Sequence, residues 1–167
     1  MSDNTQFYEE QNIKNIFICI KAIKNILIEM QKKNIETMRL SKTASFLVMS
    51  GVTSNSIFSF VKERCLSEQN SDGGWISIVD TVWNLKFLSL IDKTKFSEHI
   101  EKGNRFIFSK LNKDNLWGRH SRDISRIPVT GLIFFLFPEL ANLERLCTLE
   151  KLWYKEYLSI TYKAGLI

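Results

Sequence analysis

Proline occurs twice and glycine seven times in 167 residues, too few turn formers for a β-sandwich or barrel built from many short strands. Cysteine occurs at Cys19, Cys65 and Cys147 only, in odd number and in no CxxC pair. That excludes a disulfide scaffold and a compact zinc motif, and it fits reduced thiols in a cytoplasmic setting, each buried as a small hydrophobe. No apolar run approaches the roughly 18 residues of a membrane span. The strongest, Leu132 to Phe137, stops at Pro138 and reads as a buried helix turn or a strand. The opening MSDNTQFYEEQ is polar and acidic, without a basic n-region or a small-residue cleavage site, so no leader is expected. Charge of one sign is also scarce. Lys and Arg total 23 against 18 Asp and Glu, a net +5, which allows an acidic partner without requiring one. The basic residues follow no stripe or nucleic-acid motif, and no nucleic-acid partner is expected.

What is present is 44% hydrophobic residues with 25% charged, the composition of one globular domain over 1–167, with 1–10 set apart as a mobile N-terminal segment. A chain this long buries roughly 70% of its unfolded surface without disulfides or a structural metal. Its apolar periodicity is helical throughout. Ile13, Ile16, Phe17, Ile20, Ile23, Leu27 and Met30 mark one amphipathic helix. Arg39 to Ser50 is apolar on more than one face and ends at Gly51, a suitable C′ residue. Ser54, Asn55 or Ser56 can cap a third helix through Leu66. Ile78 to Ile91 is apolar almost all round, with Lys86 its single lysine. Phe96, Ile100, Gly103, Ile107 and Leu111 mark an amphipathic helix with His99 off its stripe, Ile124 to Phe137 a strongly apolar one, and Leu143 to Leu158 a charged amphipathic one. Exposed and buried helices thus alternate, giving an all-α fold.

Two polar breaks punctuate this pattern, Gln69 to Trp75 and Asn112 to Gly118. Trp75 and Trp117 stand 42 residues apart, each shortly after an Asp (Asp72, Asp114) and ahead of a buried helix. The unit reads as outer helix, D-x-x-W turn, inner helix, a hairpin that must stack on its neighbours to bury its inner face. In the first turn Gly73 and Gly74 can supply positive φ, Asp72 can accept from free amides at the next helix start, Gln69 can close the loop, and Trp75 can stack on a helix end.

Gln69-x-x-Asp72-Gly73-Gly74-Trp75 resembles the QW motif of the squalene-hopene cyclase, terpene cyclase and protein prenyltransferase repeat superfamily. Asp80-Thr81-Val82-Trp83-Asn84-Leu85-Lys86-Phe87-Leu88 resembles the start of that family's inner helix. Asp114 to Gly118 with Pro128 to Leu132 resembles a degenerate second copy, and Leu152-Trp153-Tyr154 with Thr161 to Ala164 a third. The resemblance implies an α/α toroid, with Gln69, Asp72, Gly73, Gly74, Trp75, Asp114 and Trp117 as structural turn residues. At about 42 residues per hairpin the chain holds about four, an incomplete toroid whose open edge calls for a protein partner or a second copy.

The resembled enzymes protonate an alkene with a D-x-D-D cluster or hold zinc with Asp, Cys and His. Here the corresponding stretch is Ile78-Val79-Asp80-Thr81, so Asp80 reads first as a helix-start residue countering the dipole and is the single candidate acid. His99 falls on an exposed face and no metal or cofactor is expected. Arg119-His120-Ser121-Arg122-Asp123-Ile124-Ser125-Arg126 has two readings. Arg119, His120, Arg122 and Arg126 can hold a diphosphate, a carboxylate or an acidic segment, or the stretch is a solvated loop in which Asp123 pairs with an Arg and caps the helix. Phe106, Phe108, Phe134, Phe135 and Phe137 read as core or inner-wall lining. The leading expectation is a non-catalytic or accessory protein that binds an apolar, isoprenoid or peptide ligand on a concave inner-helix face. The alternative is a small cyclase-like or prenyltransferase-like enzyme on an isoprenoid diphosphate with Asp80 as acid.

Overall fold

The computed structural model describes residues 2–120 and 122–163, with side chains for 11–54, 56–120 and 122–159 of these. Seven α-helices and one 3-10 turn, and no strand among the described residues, make the protein all-α. α1 spans Ser2–Lys32, α2 Thr37–Met49, α3 Asn55–Ser67, α4 Ile78–Asp92, α5 Ser97–Ser109, α6 Ile127–Leu136 and α7 Leu143–Lys163, with the 3-10 turn Pro138–Leu140 between the last two.

The first two helices end by the same device. After α1 the Ile35 amide donates to Met30 O and the Asn34 amide to Gln31 O, with Asn34 at φ 50. After α2 the Val52 amide donates to Leu47 O and the Gly51 amide to Val48 O, with Gly51 at φ 84. Each is a Schellman motif whose C′ residue is left-handed, the conformation Gly and Asn tolerate best. α4 is opened by Ser77, an N-cap whose Oγ accepts from the Asp80 amide at 3.2 Å while its hydroxyl donates to the Asp80 carboxylate.

α4 lies at the centre and packs against α2, α3, α5 and α6, while α1 lies on α2 and α3. Its uniform apolarity follows from that position, since Ile78, Val82, Leu85, Phe87 and Leu88 are all buried. Each such side chain contributes roughly 1.5–3 kcal/mol. α5 approaches α4 closely because Gly103 has no Cβ to overlap Leu85. Lys86 donates to Leu136 O at 2.9 Å and lies 5.7 Å from the Phe137 ring centroid, so the one cation of α4 satisfies the C-terminal end of α6.

Several expectations are corrected. Cys65 is buried, but Cys19 and Cys147 are exposed, because both lie on the outer faces of the flanking helices α1 and α7. The α1 stripe is covered only from Ile20 onward; Ile13, Ile16 and Phe17 are exposed, because the helix outruns the body it packs on. α6 begins at Ile127, not Ile124, which is 81% exposed; the residues before it are held by loop hydrogen bonds instead. Phe106, Phe134 and Phe137 are core, whereas Phe108 and Phe135 face solvent. Trp153 sits inside α7, so the third echo is no turn: nothing between Leu143 and Lys163 breaks a helix. Among the described residues there are therefore three exposed–buried helix pairs followed by α7. The echo's last member, Ala164, lies outside the described residues.

Candidate functional site: tryptophan turns, basic insertion and a cleft at the helix starts

The two polar breaks fold into turns that share five hydrogen bonds. In the first, the Asn70 amide donates to Gly74 O at 2.9 Å and the Gly73 amide to Asn70 O at 2.9 Å. Asp72 Oδ1 accepts from the Gly74 amide at 3.0 Å, the Trp75 amide donates to Thr81 Oγ1 at 3.0 Å, and Trp75 Nε1 donates to Cys65 O at 3.2 Å. In the second, Asn112 and Leu116, Asn115 and Asn112, Leu116 and Asp114, Trp117 and Thr130, and Trp117 and Ile107 repeat those five bonds in order. Gly73 at φ 91 and Asn115 at φ 61 take the same left-handed place. Both tryptophans are buried.

Asp72 therefore serves its own turn and not the next helix start, which Ser77 caps. A side chain one residue from the loop apex reaches the adjacent loop amide sooner than a helix several residues on. Gln69 reaches beyond the turn: Nε2 donates to Gly73 O at 2.8 Å and His99 O at 2.9 Å, and Oε1 lies 2.5 Å from His99 Nδ1. His99 is thus half-buried and engaged by Gln69 instead of exposed. Gly73 and Gly74 complete the docking, since a Cβ at either would overlap the Lys102 carbonyl or the Phe106 ring.

The copies differ in their side-chain contacts, since Leu111 stands where the first has Gln69 and Asn112 Nδ2 donates to Asp123 O and Ser125 Oγ where Asn70 Nδ2 donates to Trp75 O, and they differ in length. From Trp to its threonine the chain runs 6 residues in the first and 13 in the second, and the extra seven carry the basic cluster. Its carbonyl at Arg119 accepts from the Ile78 amide at 3.1 Å, setting the insertion against the first turn of α4, two residues before Asp80. The Arg126 amide donates to Trp117 O at 2.9 Å. Asp123 lies 3.7 Å from Arg126 Nε, and α6 carries no side-chain cap, so the pairing is present and the capping is not. Arg119, His120, Arg122 and Arg126 are exposed; Ser121 lies outside the described residues. No described group of three His, Cys, Asp or Glu side chains is placed to hold a metal ion.

A cleft of about 420 Å³ opens where the start of α2, the end of α3 and the start of α4 meet. On one wall Arg64 is saturated, donating from Nη1 to Asn34 Oδ1 and Ile35 O at 2.8 Å each and from Nε to Glu68 Oε1 at 2.7 Å. Glu68 also accepts the Thr37 hydroxyl. On the other wall stand Asp80 and, one turn further, Asn84. Asn84 is fully buried, its Oδ1 accepts from Cys65 Sγ at 3.7 Å, and its Nδ2 has no partner. Burial pushes the Cys65 thiol well above the usual range, with the Glu68 charge adding to it; the thiol stays a neutral donor, which holds the amide with its oxygen turned to sulfur. Sequence reasoning reached Asp80 but missed Asn84. The available signal was an amide side chain in the middle of an apolar helix, where a polar group is costly unless used.

Comparison with protein-family models, with curated proteins and with solved structures finds no match to this chain.

Proposed function

We propose that the chain is a non-catalytic binding protein built as an arc of α/α hairpins of the toroid type, which takes an apolar, isoprenoid or peptide ligand on the face of its α2, α4 and α6 row. The observation that carries this reading is that these mostly buried helices still present Phe46, Met49 and Phe135 to solvent, with open space at Gly131 on α6. Phe46 also lies 5.6 Å from Trp83 between ring centroids, so a ligand on this face would sit near an indole. The five-bond turn repeated at Trp75 and Trp117 supports stacked hairpins of one kind. A partner or second copy at the exposed end of the row would complete the arc.

The test is titration with farnesol and, separately, with an apolar nonapeptide, read by tryptophan emission and by amide shifts. Saturable binding that maps to Phe46 and Phe135 and is lost in Phe135→Asp is the expected result. Silence with both ligands would remove the reading. One observation favours the enzyme alternative, the placement of Arg119 against the α4 start near Asp80. Product formed from farnesyl diphosphate by the wild type and abolished in Asp80→Asn would replace binding with catalysis.

A further inference from the structure

Asn84 Nδ2 is one of three buried side-chain atoms among the described residues that have no hydrogen-bond partner, with Ser45 Oγ and Arg145 Nε, and the one of the three that lines a cleft. Buried donors are nearly always paired, and leaving one unpaired costs roughly 1–3 kcal/mol. A leucine of nearly the same shape would fill the position without that penalty. Asn84 nevertheless stands in the wall of the cleft, with its oxygen committed to Cys65 and its NH2 group left over. Asp80, one helical turn earlier on the same face, accepts from Ser77 through Oδ2, while its Oδ1 has no partner among the described residues. No described basic side chain pairs with it. The cleft wall thus holds an unpaired donor, covered in this structure, one turn from a carboxylate acceptor, and its other charged groups are paired, Arg64 with Glu68 and Glu36 with Arg39.

We propose that this cleft binds a carboxamide edge, an N–H and a C=O presented side by side, with Asn84 Nδ2 donating to the carbonyl oxygen and Asp80 Oδ1 accepting the N–H. Two sources share that chemistry: a Gln or Asn side chain, or the N–H and C=O of one extended peptide residue. Ile76, 81% exposed at the rim, offers apolar surface to the rest of the peptide. The assignment goes beyond the binding reading, since it names a separate site at the helix starts whose ligand is a peptide.

The experiment is a titration of the ¹⁵N-labelled full chain with acetyl-Gln-N-methylamide, acetyl-Ala-N-methylamide, butylammonium and acetate, following the Asn84 side-chain NH2 resonances. Shifts with the glutamine compound alone identify a side-chain amide, and equal shifts with both peptides identify the main chain. Shifts with butylammonium or acetate alone, or with none of the four, overturn the proposal. Asn84→Leu, read at the backbone amides of Ile76 and Asp80, which are expected to shift together with the Asn84 resonances in the wild type, is expected to show no response while keeping the melting temperature unchanged or raised; a lowered melting temperature shows a structural amide and overturns the proposal. Asp80→Ala, at a half-exposed position, is expected to weaken binding about tenfold, the loss of one charge-assisted hydrogen bond, and unaltered affinity counts against the proposal. Shifts confined to Phe46 and Phe135, with none at Asn84, would leave the inner-face reading standing and remove this one.

Discussion

The indole N–H of Trp117 donates to the carbonyl of Ile107 at 2.9 Å, ten residues upstream, where Trp75 makes the same bond to Cys65. Each turn is thereby fastened to the helix that precedes it, by a side chain that is also core. Trp117→Phe keeps most of the apolar volume but leaves a buried carbonyl unpaired, and should cost about 1–3 kcal/mol. Trp75→Ala also opens a cavity and should cost about 3–5 kcal/mol. Urea denaturation of the two variants checks both, and a near-zero cost for Trp75→Ala would contradict the staple role.

Thr81 and Thr130 are the second fastening, each accepting the amide of its tryptophan. Thr130→Val removes the acceptor from a fully buried site and should lose about 1–3 kcal/mol, whereas Thr130→Ser should lose less because the hydroxyl remains. A near-zero cost for Thr130→Val with a larger one for Thr130→Ser would show that the methyl group, not the hydrogen bond, matters there.

The left-handed positions separate conformational strain from steric overlap. Gly51 at φ 84 has open space around its missing Cβ, while Gly73 at φ 91 abuts the Lys102 carbonyl. Gly51→Ala should therefore cost about 1–2 kcal/mol, the left-handed penalty alone. Gly73→Ala should cost clearly more, because the α5 backbone must also move. Asn115→Gly, at the equivalent place in the second turn, should leave the melting temperature nearly unchanged or raise it.

Thiol labelling should divide the cysteines in two classes. Cys19 and Cys147 are exposed and should react at once with an aromatic disulfide reagent, and Cys65 only on unfolding. Because folding raises the Cys65 pKa above its ordinary 9.0, its neutral thiol contributes stability in full below that pH. The contribution is lost as pH rises further toward the folded value. Stability in Cys65→Ala should accordingly fall less steeply in alkali than in the wild type. A Cys65 that labels as fast as Cys19 would contradict its burial.

Much of the helical order was legible because it depends on local signals. The Gly51 terminus, the Ile78 start and each of the turns at Trp75 and Trp117 rest on residues close in the chain. What escaped depends on distant neighbours. Nothing near Ile13 reveals that α1 outruns its support, and nothing near His99 reveals that Gln69, thirty residues earlier, engages its ring. Ile124 looked helical by hydropathy, but the Trp117 carbonyl holds the Arg126 amide and delays the helix to Ile127. Asn84 escaped because its meaning lies in an absent partner, which periodicity cannot register.

The unequal spans between each tryptophan and its threonine, 6 and 13 residues, bear on how such a repeat can diversify. Doubling the length of a closed loop adds only about 0.6 kcal/mol of closure entropy. With the same two atoms clasping both ends, lengthening the loop leaves the register of α6 intact. The exposed stretch around His120 and Arg122 is therefore a place where sequence can be inserted or grafted at small thermodynamic penalty, while Gly118, Ser125 and Arg126 stay fixed, so that a new surface chemistry can be acquired without redesigning the helices beneath it.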